Sequence, residues 1–152
     1  MNYWVWVLGE VDALRWVVDQ KTMAFPDSAS TRIRDMGAGD RAVLYTTRGA
    51  FHNPTRDEAR LVGVATVDSS PNRPEQPLTI AGREYAWSCS IEVETLLAER
   101  QGPTVRALVP ELELVRKPAA WGVYFRQSPV RINETDFECM RRAIETYGPS
   151  DQ

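Results

Sequence analysis

Between Arg41 and Val93 the sequence never settles into a helical period. Arg41-Ala-Val-Leu-Tyr-Thr-Thr47 and Leu61-Val-Gly-Val-Ala-Thr-Val67 are runs of β-formers, and Tyr85 to Val93 alternates apolar with small or charged residues. Loops rich in Pro, Gly and Asn separate them, at 48–59 and around Pro71, Pro74 and Pro77. Parallel neighbours need a crossover of about a dozen residues or more, usually a helix. Without crossover helices the middle strands pair mostly antiparallel. Gly63 in mid-strand marks a bulge or a close backbone approach. On the period of two, Trp87 shares a face with Cys89.

The flanks supply the helices. Tyr3 to Leu8 reads as a buried strand. A helix begins at Glu10 or Asp12, carries Ala13, Leu14, Trp16, Val17 and Val18 as its apolar stripe, and fades at Asp19-Gln20. Residues 20–30 read as a loop, since Pro26 keeps Phe25 extended and Asp27, Ser28 and Ser30 are turn residues. Thr31 to Met36 suggests a helical turn, and Gly37-Ala-Gly-Asp40 a tight one. β-formers follow those glycines, so no helix N-terminus waits there for a phosphate. Leu78-Thr-Ile80 with Ala81-Gly82 looks like a strand end and turn. Gly102-Pro103 breaks the chain, and Pro110 cuts the apolar run from Val105 to Val115. Val130-Arg-Ile132 precedes the clearest helix, 134–147, capped by Asn133 or Thr135. Phe137, Met140, Ala143, Ile144 and Tyr147 share its face, and Gly148-Pro149 should stop it. The expected class is α+β with a barrel-like, mostly antiparallel sheet. It forms one domain over 1–148 with a tail at 149–152.

Composition removes several functions. No apolar run approaches the roughly 20 residues needed to span a bilayer. The N-terminus lacks a basic region and a cleavage site, so it reads as a strand and not as a signal peptide. Cys89, Cys139 and the single His52 have no metal-ligand spacing, and two reduced thiols fit a cytoplasmic protein. Net charge is −3, without the basic surplus that gripping long duplex requires. Arginines nonetheless gather in 31–60, at Arg32, Arg34, Arg41, Arg48, Arg56 and Arg60. Contact with nucleic acid should therefore be local and short. No catalytic constellation stands out. His52 sits alone in a loop, Cys89 reads as a buried thiol, and the carboxylates are scattered.

The stretch Trp121-Gly-Val-Tyr-Phe-Arg126 carries three aromatics and a guanidinium. With Gly122 behind Trp121 it looks like a strand or turn that presents rings at a surface. Such a wall with an Arg beside it can hold a flat polar ring. The same rings also serve as core, because aromatics bury large apolar areas.

Taken in order, the motifs resemble the EVE domain family, within the PUA-like group. The resemblance rests on Tyr3-Trp4, Arg32-Ile-Arg34, Met36-Gly-Ala-Gly-Asp40, Val43-Leu-Tyr45-Thr-Thr47 and Leu61 to Val67. It continues with Lys117-Pro-Ala-Ala-Trp-Gly-Val-Tyr-Phe-Arg126 and ends on Asp136-Phe137. These run through almost the whole chain. The resemblance implies a curved, mostly antiparallel β-barrel with flanking helices. It also implies a binding module, similar to YTH and SRA-type readers, that holds a flipped, modified base such as 5-methylcytosine. Flipping costs a few kcal/mol, and stacking on aromatic rings returns ~1–3 kcal/mol per base. Carried over, Phe25 and Trp121 would be the walls. Tyr45, Thr46 and Thr47 would read the base edge, and Arg32 and Arg126 would meet phosphate or a carbonyl. The expected partner is short or single-stranded nucleic acid, modified DNA included, with no cofactor, no metal and no catalytic residue. The chain departs from the family in two places: Phe25-Pro-Asp-Ser-Ala29 replaces the Asn-His-Gly-Lys-like first loop of many small bacterial members, and the loop at 48–59 is long enough to fold over the pocket or bind something else.

Two other readings use the same scaffold. A small hydrolase would need an active group from Lys21, Asp27 or Asp35 in the pocket. A protein- or RNA-contact domain would have a vestigial pocket and an exposed apolar patch elsewhere.

Overall fold

The computed structural model describes residues 1–150. Its elements are β1 (Tyr3–Leu8), α1 (Val11–Gln20), β2 (Thr22–Phe25), β3 (Arg41–Thr46), β4 (Arg60–Val67), β5 (Leu78–Ile80), β6 (Arg83–Tyr85), β7 (Trp87–Leu96), α2 (Val105–Leu108), β8 (Val130–Ile132) and α3 (Glu134–Ser150). Short 3-10 turns lie at Asp27–Ala29, Arg32–Asp35, Val109–Glu111 and Pro118–Phe125. The main sheet runs β2-β7-β4-β3-β1-β8, and β5-β6 form a separate hairpin. Every neighbour in the main sheet is antiparallel except β1 and β3. The chain between those two, with α1, supplies the crossover that a parallel pair requires.

The sheet curls into a half-barrel. β7 pairs with β2 through Trp87–Ser90 and with β4 through Ile91–Leu96, so one strand turns from one neighbour to the other. Bulges at Leu44/Tyr45 and Val64/Ala65 increase the twist. Gly63 sits beside them because a Cβ there would lie 2.6 Å from the Thr95 carbonyl oxygen. Alternation along β1 sorts its side chains into two cores. Trp4, Trp6 and Leu8 join Phe25, Leu44 and Ile91 in one, and Val5 joins Val43, Phe137, Met140 and Ile144 under α3 in the other. Each large side chain buried in this way contributes about 1.5–3 kcal/mol. The fold is α+β, a curved and mostly antiparallel sheet with flanking helices, as expected. No helix among the described residues is long and apolar enough to cross a membrane.

Three local expectations give way. Residues 22–25 form the edge strand β2 and not part of a loop. Lys21 takes the left-handed conformation (φ 49°) and redirects the chain, and pairing of Met23 with Cys89 and of Phe25 with Trp87 then overrides the turn-rich residues that follow. The stretch around Trp121 is a 3-10 helix over Pro118–Phe125, kinked at Ala120, and not a strand. Pro118 suits its first turn, and the four-residue spacing of Trp121 and Phe125 was itself a helical signal. Finally, α3 continues through Gly148-Pro149 to Ser150. Of the expected tail, residues 151–152 lie outside the described residues. At the other end, Asn133 caps α3: its Oδ1 accepts the Asp136 N–H at 2.8 Å.

Candidate binding site

The carboxyl ends of β1 and β3 meet where Thr47 N–H donates to the Leu8 carbonyl. Hollows open on both sides of this seam. The first, about 600 Å³, lies between the end of β1, α1, β2, the β5–β6 hairpin and residues 126–128. The second, about 780 Å³, lies between the end of β3, the 54–59 loop and the 3-10 helix that carries Trp121. Arg126, which is exposed, lines both.

In the first hollow the walls are held by the backbone. Beyond Val5, β1 has no partner strand on its β8 side. Ser128 fills that gap, its Oγ accepting the Val7 N–H at 3.0 Å. Arg32 Nη2 donates to the Ser128 carbonyl at 2.9 Å, so the guanidinium is fixed in the wall. Its Nε is buried with no acceptor among the described residues. Phe25 forms the floor, only 1% exposed and edge-on to Trp6 at 6.0 Å. The buried Trp6 indole N–H also lacks an acceptor among the described residues. The accessible ring is Tyr85, half-buried on the hairpin. Ala81 and Gly82, with φ of 51° and 79°, form the tight turn that brings this hairpin back over the cavity. Glu10 lines the same cavity, and both its carboxylate oxygens lie within 3.0 Å of His52 Nε2.

The second hollow is built on stacked rings. Tyr45 is buried and stacks on Phe125 at 5.1 Å. Phe125 meets Trp121 edge-on at 6.4 Å, and Trp121 reaches the surface half-exposed. Loss of water pushes the Tyr45 hydroxyl pKa up to about 12. Thr47 lines this hollow, whereas Thr46 is 1% exposed and lines neither.

The structure thus divides the seven residues singled out in the sequence. Phe25 and Arg32 line the first hollow, Tyr45, Thr47 and Trp121 the second, Arg126 both and Thr46 neither. Phe25 and Trp121 do not face each other across one cleft, because the β1–β3 seam separates them. His52 is not alone but paired with Glu10. Lys21, Asp27 and Asp35 line neither hollow. Asp27 pairs with Arg73 and Asp35 with Arg131. Cys89 is buried among apolar side chains, which raises its thiol pKa to about 12. No three His, Cys, Asp or Glu side chains among the described residues gather as metal ligands. Reading the sequence missed Tyr85, Glu10 and Ser128. Tyr85 opens the two-residue alternation beside the expected Ala81-Gly82 turn, which was its available signal. Ser128 had none.

Comparison with solved structures places this architecture. The YTH domain of the Zygosaccharomyces rouxii MRB1 protein, in complex with N6-methyladenosine RNA, superposes with a TM-score of 0.67 at 12% identity, over 95% of this chain and 86% of that one. The fold is that of YTH domains. The Mmi1 YTH domain in complex with RNA gives 0.62 at 14% identity, over 95% and 78% of the two chains. Rpa0253 from Rhodopseudomonas palustris gives 0.62 at 17%, over 100% and 99%. No protein-family model and no curated protein matches the chain.

Proposed function

We propose that the protein binds single-stranded nucleic acid and receives one modified base in the cavity at the end of β1. The observation that carries this reading is the cavity itself. Its volume of about 600 Å³ is within the usual range for small-ligand sites, and Arg32 is fixed in its wall by its hydrogen bond to the Ser128 carbonyl. A flipped base needs a stacking surface and fixed polar groups for its edge. Tyr85 offers the ring, Phe25 the apolar floor, and Arg32, Ser28 and Glu10 the polar groups. Arg83 and Arg126 on the rim suit phosphates. The EVE-like motif order and the RNA-bound YTH neighbours support the same class of ligand. Burying one methyl adds only about 0.8 kcal/mol, so discrimination must come mainly from the edge contacts.

The test is a heteronuclear NMR titration with nine-residue single strands: RNA carrying one central N6-methyladenosine, DNA carrying one 5-methylcytosine, and their unmodified twins. Shifts concentrated on Phe25, Arg32 and Tyr85 with one modified strand, and weaker with its twin, are expected. Equal shifts for modified and plain strands, confined to exposed arginines, would overturn the reading.

A further inference from the structure

We propose that the second hollow is a separate subsite for a nucleotide flanking the read base, with Trp121 as stacking platform and arginines as the phosphate grip. This rests on the base-binding reading of the first cavity and extends it across the seam. Three observations carry it.

The arginines are the first. Arg48, Arg56, Arg106 and Arg126 line this hollow, and none has a carboxylate within ion-pair distance among the described residues. Of the twelve other arginines, six have a carboxylate partner among the described residues: Arg15 with Glu99, Arg41 with Glu94, Arg73 with Asp27, Arg100 with Asp57, Arg131 with Asp35 and Arg141 with Glu138 and Glu145. Of the two acids in the hollow, Asp57 is taken by Arg100 at 2.9 Å. A chain of net charge −3 has thus left four cations free around one concavity. Four guanidiniums against one acid, Glu58, without an ion pair among the described residues favour an anion in this hollow, and forked donors match phosphate oxygens.

The ring stack is the second. Tyr45 and Phe125 are buried and support Trp121 from beneath, so its exposed area is held rigidly. A platform that loses little freedom on binding suits a base face.

Continuity is the third. Arg126 borders both hollows. A strand whose base enters the first cavity can therefore pass its next phosphate over Arg126 and its next base onto Trp121.

The test measures affinity and salt dependence by fluorescence anisotropy, with the nine-residue strands named above and the isolated modified nucleosides. The variants are Trp121→Ala, Trp121→Phe and the triple Arg48→Ala/Arg56→Ala/Arg106→Ala. The three arginines of the triple are exposed, so that variant should fold normally. Trp121→Ala is expected to weaken binding of both modified and plain strands about tenfold, and Trp121→Phe to restore most of it. The triple variant should weaken both at least tenfold and reduce the slope of log K against log salt by about 2. In each variant the modified-to-plain ratio and the nucleoside affinity should stay as in the wild type.

If the triple variant binds the strands with wild-type affinity and slope, the subsite is wrong and the base-reading cavity stands. If the variants collapse the modified-to-plain ratio, Trp121 belongs to base reading and the division into two subsites is wrong. If the triple variant abolishes binding while Arg32→Ala has no effect, the second hollow is the binding site and the base reading falls. If the wild type binds no strand, both fall together.

Discussion

The two ends of β1 are built for opposite purposes. At its N-terminal end a dense network ties backbone and side chains, although Arg41 Nε, opposite Tyr3, is buried without an acceptor among the described residues. The Asp40 carboxylate accepts three donors: Asn2 N–H at 2.9 Å, Trp4 Nε1–H at 3.0 Å and Gly37 N–H at 3.0 Å. Asn2 donates from its side chain to the Asp35 carbonyl and accepts from Arg131 Nη2. β8 pairs with Tyr3–Val5, and Phe137 packs on the Tyr3 ring at 4.9 Å. At its C-terminal end the partner strand is missing, two hollows open, and donors or cations are left without acceptors. A buried donor without a partner costs about 1–3 kcal/mol. The closed end supplies the stability that lets the open end keep unsatisfied groups.

The largest expected effect tests that division. Asp40→Ala strands three donors at once and should lower unfolding free energy by about 3 kcal/mol or more, read by urea denaturation. Below the unfolding transition, strand affinity should stay within about twofold. An affinity loss as large as the stability loss would break the comparison, because it would make the closed end part of the site.

Alkaline titration tests how dry the open end is beneath its mouth. Tyr45 lies there, opposite Val7, with its hydroxyl pKa raised by burial to about 12. The native value is above the unfolded value near 10, so the native state disfavours the anion. This stability contribution is complete below pH 10 and is lost as pH rises from about 10 to about 12, roughly 3 kcal/mol in all. Tyr45→Phe should flatten stability over that window. A tyrosinate absorbance change already complete near pH 10 would show that water reaches the floor.

A milder change probes the device that holds the mouth. Ser128→Ala leaves the Val7 N–H without its acceptor and should cost about 1 kcal/mol. It also frees the loop that carries Arg126, so affinity for plain and modified strands should fall severalfold. Loss of stability with affinity intact would make Ser128 scaffold only.

The same contrast explains what could be read from the chain. Secondary structure was legible wherever local pattern and tertiary demand agree: β1, α1, β3, β4 and the body of α3 follow their apolar periods. The Gly39-Asp40 and Asp136-Phe137 motifs were legible as motifs, but their work is structural. Asp136 is 1% exposed and accepts the Glu113 and Leu114 N–H groups at 2.7 and 2.9 Å, clasping the loop before the 3-10 helix to α3. Trp121 and Arg126 were legible because an aromatic and arginine cluster is rare outside cores and sites. The division of the candidates between two hollows was not legible. It depends on the parallel register of β1 against β3, which brings Leu8 to Thr46 and so sets the seam between Phe25 and Trp121. β2 was missed for a related reason. Four residues carry little periodic signal, and its strand character comes from β7, more than sixty positions away.

The smallest effect concerns the hairpin over the first hollow, and it has the opposite sign. Ala81 and Gly82 both have positive φ, which a two-residue hairpin of this twist requires. Alanine resists that region because its Cβ crowds the following carbonyl, whereas asparagine tolerates it. Ala81→Asn creates the Asn-Gly pair that this turn favours and should add about 0.5–1 kcal/mol. By the usual scaling for a chain of this size, melting temperature rises by about 1–4 °C. Tyr85 and Ile80 rest on the α1–β2 junction, where Ile80 packs with Ala13 and Ala24, so a firmer turn holds the ring over the cavity. If the hairpin is a fixed wall, strand affinity should hold or tighten slightly, with association unchanged in stopped-flow fluorescence. If association slows as melting temperature rises, the hairpin has to open before the base enters. The open end of β1 would then be a gated mouth, where the tied end is a rigid clasp.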